Sequence, residues 1–236
     1  SNDTEEASVS PSTLTFTSAN WSSPQTISIT GENDYIIDGN QSADILVSVD
    51  DSSSDDTFDL VEDQYVNCTT TDNDVADFTL TESDGNTVVD ESGTTDNFSL
   101  VLDAQPFVDV VFDIGNADPG EVSTSVSQVT FTNANWNIPQ TITLTGVDDS
   151  DVDNAQTTLI TVSVDPMASD DNFDAVADQT ISVTTTDDDE PYISFTSASQ
   201  VSHSENGSLI ITAELSNPSS RMITLPFTVE SSSSAD

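Results

Sequence analysis

Basic residues are almost missing from this chain. It has no lysine, one arginine (Arg221) and one histidine (His203) against 44 aspartates and glutamates, for a net charge of −43 over 236 residues. That balance excludes nucleic acid as a partner, because phosphate binding needs a basic footprint. It excludes an anionic membrane surface on the same ground. Cysteine is equally scarce: Cys68 stands alone, so no intramolecular disulfide can form. One cysteine and one histidine also cannot build the thiolate or imidazole sites of zinc or copper. No nucleophile pattern accompanies His203, and no glycine-rich phosphate loop is present. Among so many acids, a pair of carboxylates carries no information about glycoside hydrolysis. The chain reads as a non-enzyme. No apolar run approaches the length of a membrane span.

Aromatic residues make up only 6% of the chain, and low aromatic content with high charge is a mark of disorder. The apolar pattern overrides it. Thr26-Ile27-Ser28-Ile29-Thr30 and Leu159-Ile160-Thr161-Val162-Ser163-Val164 alternate with the period of half-buried strands.

The chain also repeats itself. Thr15-Phe16-Thr17-Ser18-Ala19-Asn20-Trp21 returns as Thr130-Phe131-Thr132-Asn133-Ala134-Asn135-Trp136, an offset of 136 − 21 = 115, and the register holds without a gap from Leu14–Asp74 to Val129–Asp189. A period this long means tandem domains, not a solenoid of short repeats. The runs Thr69-Thr70-Thr71-Asp72-Asn73-Asp74 and Thr184-Thr185-Thr186-Asp187-Asp188-Asp189 mark the boundaries. Residues 75–189 then form one complete unit, preceded by the C-terminal portion of a unit (1–74) and followed by the N-terminal portion of the next (190–236). Strands are expected near 78–81, 98–102, 108–112, 129–132, 141–145, 159–164 and 180–184 of the complete unit, and near 209–215 and 223–229 of the last segment. Such short strands with polar turns and no helical period describe an all-β chain of immunoglobulin-like β-sandwiches. A β-helix is the runner-up, but its repeats are several times shorter.

Acidic clusters recur at the same repeat positions: Asp34 and Asp38 against Asp148, Asp149, Asp151 and Asp153; Asp55-Asp56 against Asp170-Asp171; Asp72 and Asp74 against Asp187, Asp188 and Asp189. Loop carboxylates with no basic partner repel, and a hard cation neutralises them. Ca²⁺ takes six to eight oxygens at about 2.3–2.6 Å in flexible geometry and suits loops better than Mg²⁺ does. Asp55, Asp56, Asp170 and Asp171 read as solvated turns, whereas the runs closing each repeat lie where one domain meets the next and read as calcium ligands. Cys68 takes the place of Val183 and reads as a buried, inert strand residue. Trp21 and Trp136 occupy one repeat position and are expected to be largely buried over the end of each core; exposed, they would suit a sugar ring.

The segment from Val201-Ser202-His203-Ser204-Glu205-Asn206-Gly207 to Glu214-Leu215-Ser216 resembles the opening of a Calx-beta repeat, and Thr224-Leu225-Pro226-Phe227-Thr228-Val229 resembles its next strand. Ile142 to Asp153 is similar to the family's later strand and acidic turn, and Thr186 to Asp189 to its closing run. The resemblance implies a calcium-binding β-sandwich of the kind found in sodium/calcium exchangers and large bacterial surface adhesins. It implies a metal cluster at one end, from Glu91, then Asp148, Asp149, Asp151 and Asp153, then Asp187, Asp188 and Asp189. In the leading segment Asp34, Asp38, Asp72 and Asp74 match, with Asn33 and Asn73 where the second copy has aspartate, so a weaker site is expected there. The expected role is a calcium-stiffened stalk or filament of a secreted or surface-attached protein. Its partners would be neighbouring repeats or copies of itself, with surface glycans or other cell-surface proteins as further candidates. The rivals are a carbohydrate-binding module and a plain acidic spacer.

Overall fold

The computed structural model describes residues 1–195, 210–219 and 221–228. His203, Glu205 and most of the segment carrying the Calx-beta opening lie outside them. The described chain is all-β, with one short 3-10 turn at Asp56–Phe58. Its strands are β1 (Ala7–Ser10), β2 (Ser28–Gly31), β3 (Gln41–Val47), β4 (Gln64–Thr70), β5 (Phe78–Glu82), β6 (Thr87–Asp90), β7 (Thr95–Leu102), β8 (Val110–Asn116), β9 (Val122–Thr124), β10 (Gln128–Phe131), β11 (Gln140–Gly146), β12 (Gln156–Val164), β13 (Gln179–Thr186), β14 (Ile193–Phe195) and β15 (Ala213–Leu215).

Strands β5 to β13 make two facing sheets, ordered β10-β8-β12-β13-β6 and β5-β7-β11-β9. Alternation places Phe98, Leu100 and Leu102 of β7 inward against Val110, Phe112 and Ile114 of β8, and all six are buried. This is the packing a sandwich requires of its inner faces. Phe78 and Phe131 meet Phe112 edge-on, with ring centroids 4.8 and 6.1 Å away, a geometry that the ring quadrupoles favour. The expected strands are present, most with longer bounds, though Val108, Asp109 and Thr132 fall outside β8 and β10; two strands were not foreseen. β9 has three residues, and β6 is an edge strand held by parallel pairing to β13. Neither has enough alternating positions to announce itself.

The leading segment repeats half of this arrangement. β1 pairs with β2 as β9 pairs with β11, Ala7 facing Gly31 as Val122 faces Gly146. β3 pairs with β4 as β12 pairs with β13, Gln41 facing Thr70 as Gln156 faces Thr185. Residues 1–74 contain no counterpart of β5, β7 and β8, so the inner faces are only partly covered: Ala7, Ala43 and Ile45 are buried, but the aromatic positions are not. Phe16 is 54% exposed and Phe58 58%, where Phe131 and Phe173 are wholly buried. Three burial expectations are corrected, those for Trp21 and Cys68 because their own half-sandwich is only partly covered. Trp21 is 73% exposed rather than buried, Trp136 is only half-buried, and Cys68 is half-buried, its thiol donating to the Ala43 carbonyl. In the last segment only Ala213–Leu215 of the expected 209–215 strand is extended, paired to Ile193–Phe195, and residues 223–228 form no strand. Leu209 and Val229 lie outside the described residues.

Asp170 is corrected as well. It is buried, and its carboxylate accepts hydrogen bonds from the amides of Phe107 (2.7 Å), Val108 (3.2 Å) and Asn172 (3.0 Å). It organises two loops instead of being solvated. Its repeat mate Asp55 caps the 3-10 turn through Thr57 N.

One glycine positions the acidic end. A Cβ at Gly146 would overlap the Asp90 carbonyl, so β11 lies against the end of β6 only because the residue has no side chain. Replacing Gly146 by Ala forces that contact open and is expected to destabilise the sandwich by about 1–3 kcal/mol, the usual cost of overpacking. Gly115→Ala meets only ordinary contacts with Thr161 and should cost clearly less. Urea unfolding of the two variants, with equal losses, would contradict this reading.

Candidate metal centre

Three features of the fold bring carboxylates to one end of the sandwich. Parallel pairing sets Asp90 opposite Thr186, and the Glu91 amide donates to the Thr186 carbonyl at 3.1 Å, which places Glu91 beside the closing run. The Thr186 hydroxyl binds Asp90 Oδ2 at 2.7 Å. The loop before β9 carries Glu121, whose carbonyl accepts from Val147 N (3.0 Å) and from the Thr185 hydroxyl (3.3 Å). The acidic turn after β11 is held by Asp187, which accepts from Asp153 N (3.0 Å), Asn154 N (2.8 Å) and Asp189 N (2.8 Å). Asn154 reaches Asp187 with a left-handed backbone, φ 66°, a conformation that asparagine tolerates better than most residues.

Carboxylate oxygens of Glu91, Asp188 and Asp189 lie within 4.8 Å of one another. Glu91 is 1% exposed and Glu121 9%. Buried oxygens of four acids have no hydrogen-bond partner: Glu91 Oε2, Glu121 Oε2, Asp153 Oδ1 and Asp189 Oδ2. Buried anions without partners are costly, and a single arginine in the chain cannot balance them. Burial first, then the charges of Asp149, Asp187, Glu121 and Asp153, pushes the Glu91 carboxyl up to about 7. Burial and Asp153, Asp118, Asp149 and Asp187 raise Glu121. Burial and Asp90, Asp148 and Asp189 raise Asp188. Asp187 moves the other way, lowered by the three amides it accepts.

Of the residues expected from sequence, Glu91, Asp149, Asp153, Asp187, Asp188 and Asp189 therefore gather at one end, and Asp148 approaches Asp188. Asp151 is tied in through its main chain, its amide donating to Asp149 Oδ1 at 2.6 Å. In the leading segment Asp34, Asp38, Asp72 and Asp74 come together too. Asp72 accepts from Gly39 N and Asp74 N, both at 2.8 Å, as Asp187 does from Asn154 and Asp189. Burial, followed by Asp72, Asp34 and Asp38, raises Asp74.

Glu121 and Glu6 are members that the sequence reading missed. Burial and then Asp38, Asp3, Asp34 and Asp72 raise Glu6, and the Glu6 carbonyl accepts from Thr70 and Glu32 as that of Glu121 does from Thr185 and Val147. The signal was present: extending the repeat register upstream gives 121 − 115 = 6, with glutamate at both positions.

The donor set fits a hard, oxygen-seeking cation. It offers only carboxylates, in loops of adjustable geometry, at numbers that a six- to eight-coordinate Ca²⁺ accepts.

No known family matches the chain, and no curated protein matches it in sequence. Solved structures similar to it include the apo-form Calx CBD1 domain, at 12% identity and a TM-score of 0.35, covering 48% of this chain and 98% of that one. Domains 4 and 5 of the S-layer protein SbsC share 17% identity with a TM-score of 0.33, covering 52% and 59%. SSP-19, an MSP-domain-like protein of Caenorhabditis elegans, shares 16% with a TM-score of 0.31, covering 45% and 97%.

Glu91 yields a pH test on the metal-free protein. Its folded-state pKa lies above the ordinary 4.5, so its contribution is fully present below the unfolded value and is lost as pH rises through about 7. Glu91→Gln cannot ionise. In chelator the variant should melt above the parent at pH 8, and the gap should close toward pH 5. A gap that widens on acidification would refute the assignment.

Proposed function

We propose that the chain is a calcium-binding segment of tandem β-sandwiches that serves as a stalk in a secreted or surface-attached protein, stiffened where one unit meets the next. The observation that carries this reading is the set of unpartnered buried carboxylate oxygens on Glu91, Glu121, Asp153 and Asp189. They call for a ligand that the protein itself does not supply. Their location supports a mechanical role, because the last segment touches the same end. Asn217 donates through Nδ2 to Asp189 Oδ1 (2.7 Å) and to the Ser150 carbonyl (3.2 Å). Without a cation, the like-charged turns at this junction repel each other. With one, Asp187, Asp188, Asp189 and Glu91 share it, and the junction closes. The partly uncovered apolar face of residues 1–74, with Phe16 and Phe58 exposed, fits the same plan, since the front half of a like repeat is the surface that covers its equivalent in residues 75–189. Among the described residues no helix is long and apolar enough to cross a membrane.

The carbohydrate reading draws on Trp21. Its mate Trp136 is half-buried, packed against the core and under Tyr35, and the exposure of Trp21 follows from the uncovered half of its own sandwich. The acidic-spacer reading differs by needing no specific ion.

Thermal unfolding in calcium against sodium chloride of equal ionic strength separates these readings. A cation bound only by the folded state adds RT ln(1 + [L]/Kd), about 2.7 kcal/mol at a hundredfold excess over Kd. We expect calcium to raise the melting temperature well beyond the sodium control. Asp187→Asn with Asp189→Asn should remove most of the difference, and Asp55→Asn with Asp56→Asn should leave it. Equal melting in both salts would mean that acidity serves solubility alone.

A further inference from the structure

The two turns that follow β2 and β11 occupy one repeat position, yet they differ in chemistry. The second reads Ser150-Asp151-Val152, and the first reads Tyr35-Ile36-Ile37. Each meets the segment that comes after it. Ser150 does so through a polar contact, accepting from Asn217 Nδ2 beside the acidic cluster. Tyr35, Ile36 and Ile37 meet the sandwich at its opposite end. The Tyr35 ring stands 5.3 Å from the Trp136 indole at 46°. Ile36 forms a parallel bridge with Gln105, whose amide donates to the Tyr35 carbonyl at 2.7 Å. Ile37 is half-buried against the core of the sandwich.

The receiving surface is held by bonds that do not involve the turn. The Trp136 carbonyl accepts from Leu102 N at 3.1 Å, and the Gln105 side chain binds the Asn133 carbonyl at 3.0 Å. The indole, the Gln105 main-chain N–H and the edge of the core meet an aromatic residue followed by two isoleucines through one tilted ring contact, one main-chain bridge and one half-buried aliphatic side chain.

We propose that the Trp136 end of the sandwich is a docking surface for the Tyr35-Ile36-Ile37 turn, and that this apolar joint holds without a bound cation. Its energy comes from ring contact and buried aliphatic area, neither of which depends on charge, even though Asp34 and Asp38 of the leading acidic cluster flank the turn and Ile36 N donates to Asp34 Oδ1 at 2.8 Å. The joint at Asn217, built from Ser150 and the aspartates, lacks those groups. One chain thus carries two kinds of joint, and the turn residues choose between them. This inference does not depend on the calcium reading of the acidic end.

Hydrogen exchange of the Gln105 main-chain amide reads the joint, because that amide donates to the Tyr35 carbonyl. In the full chain with calcium present, Tyr35→Ala should lower Gln105 protection about three- to tenfold, the equilibrium equivalent of a typical aromatic pair. Tyr35→Phe, which keeps the ring, should restore it. The Leu102 and Ile142 amides should stay protected in both variants, reporting that the sandwich is intact. In chelator the parent chain should keep its Gln105 protection. Unchanged protection in Tyr35→Ala, equal loss in Tyr35→Phe, or loss of Gln105 protection on chelation, alone or with the whole sandwich, would each overturn the proposal. Failure of calcium to stabilise the protein, with Gln105 still protected, would count against the proposed function and leave this joint standing.

Discussion

Repulsion among carboxylates that the fold itself drives together governs the acidic end of this protein. The parallel register of β6 on β13 puts Glu91 against the closing run, and Gly146 allows β11 close enough to deliver the acidic turn. Backbone amides can quiet only part of the charge. Asp187 takes three of them and is stabilised as an anion, whereas Glu91 and Glu121 are buried with an oxygen left over. A protein with one arginine has no internal means of finishing the task. Burial and the neighbouring carboxylates leave Glu91 costly to ionise, which weakens the arrangement as pH rises through about 7.

The same economy explains the division of labour inside the unit. The hydrophobic core is centred on Phe78, Phe112 and Phe131, with tight aromatic contacts, and it depends on no charge at all. The ends carry the chemistry. One end gathers acids and touches the following segment, and the other presents Trp136 and Gln105 to the preceding one. The two ends of the sandwich are thus differently equipped, while the core between them is the same.

The leading segment shows what the missing strands contribute. With β1–β2 and β3–β4 paired as in the complete unit, the hydrogen-bond ladders survive. Phe16, Phe58 and Trp21 nonetheless stand exposed. Local pairing sets the register of each ribbon, while burial requires the opposite sheet. Residues 13–16 also remain outside any strand, whereas Gln128–Phe131 forms β10, because β10 exists only by pairing with β8.

Much of the architecture was legible in the sequence. The 115-residue period, the alternation of apolar residues with threonine and the lack of basic side chains determined an all-β, strongly acidic repeat, since these are properties of local pattern and composition. The candidate site was only partly legible. In a chain with 44 acids, composition cannot say which carboxylates meet, and Glu121 stood unnoticed among them because its place depends on the loop before β9. Asp170 looked like another solvated acid until two loops closed over it. The half-burial of Trp136, the exposure of Trp21 and the contact of Tyr35 with Trp136 were decided by tertiary structure alone. Each depends on whether a distant segment arrives to cover that surface, and no local pattern carries that information.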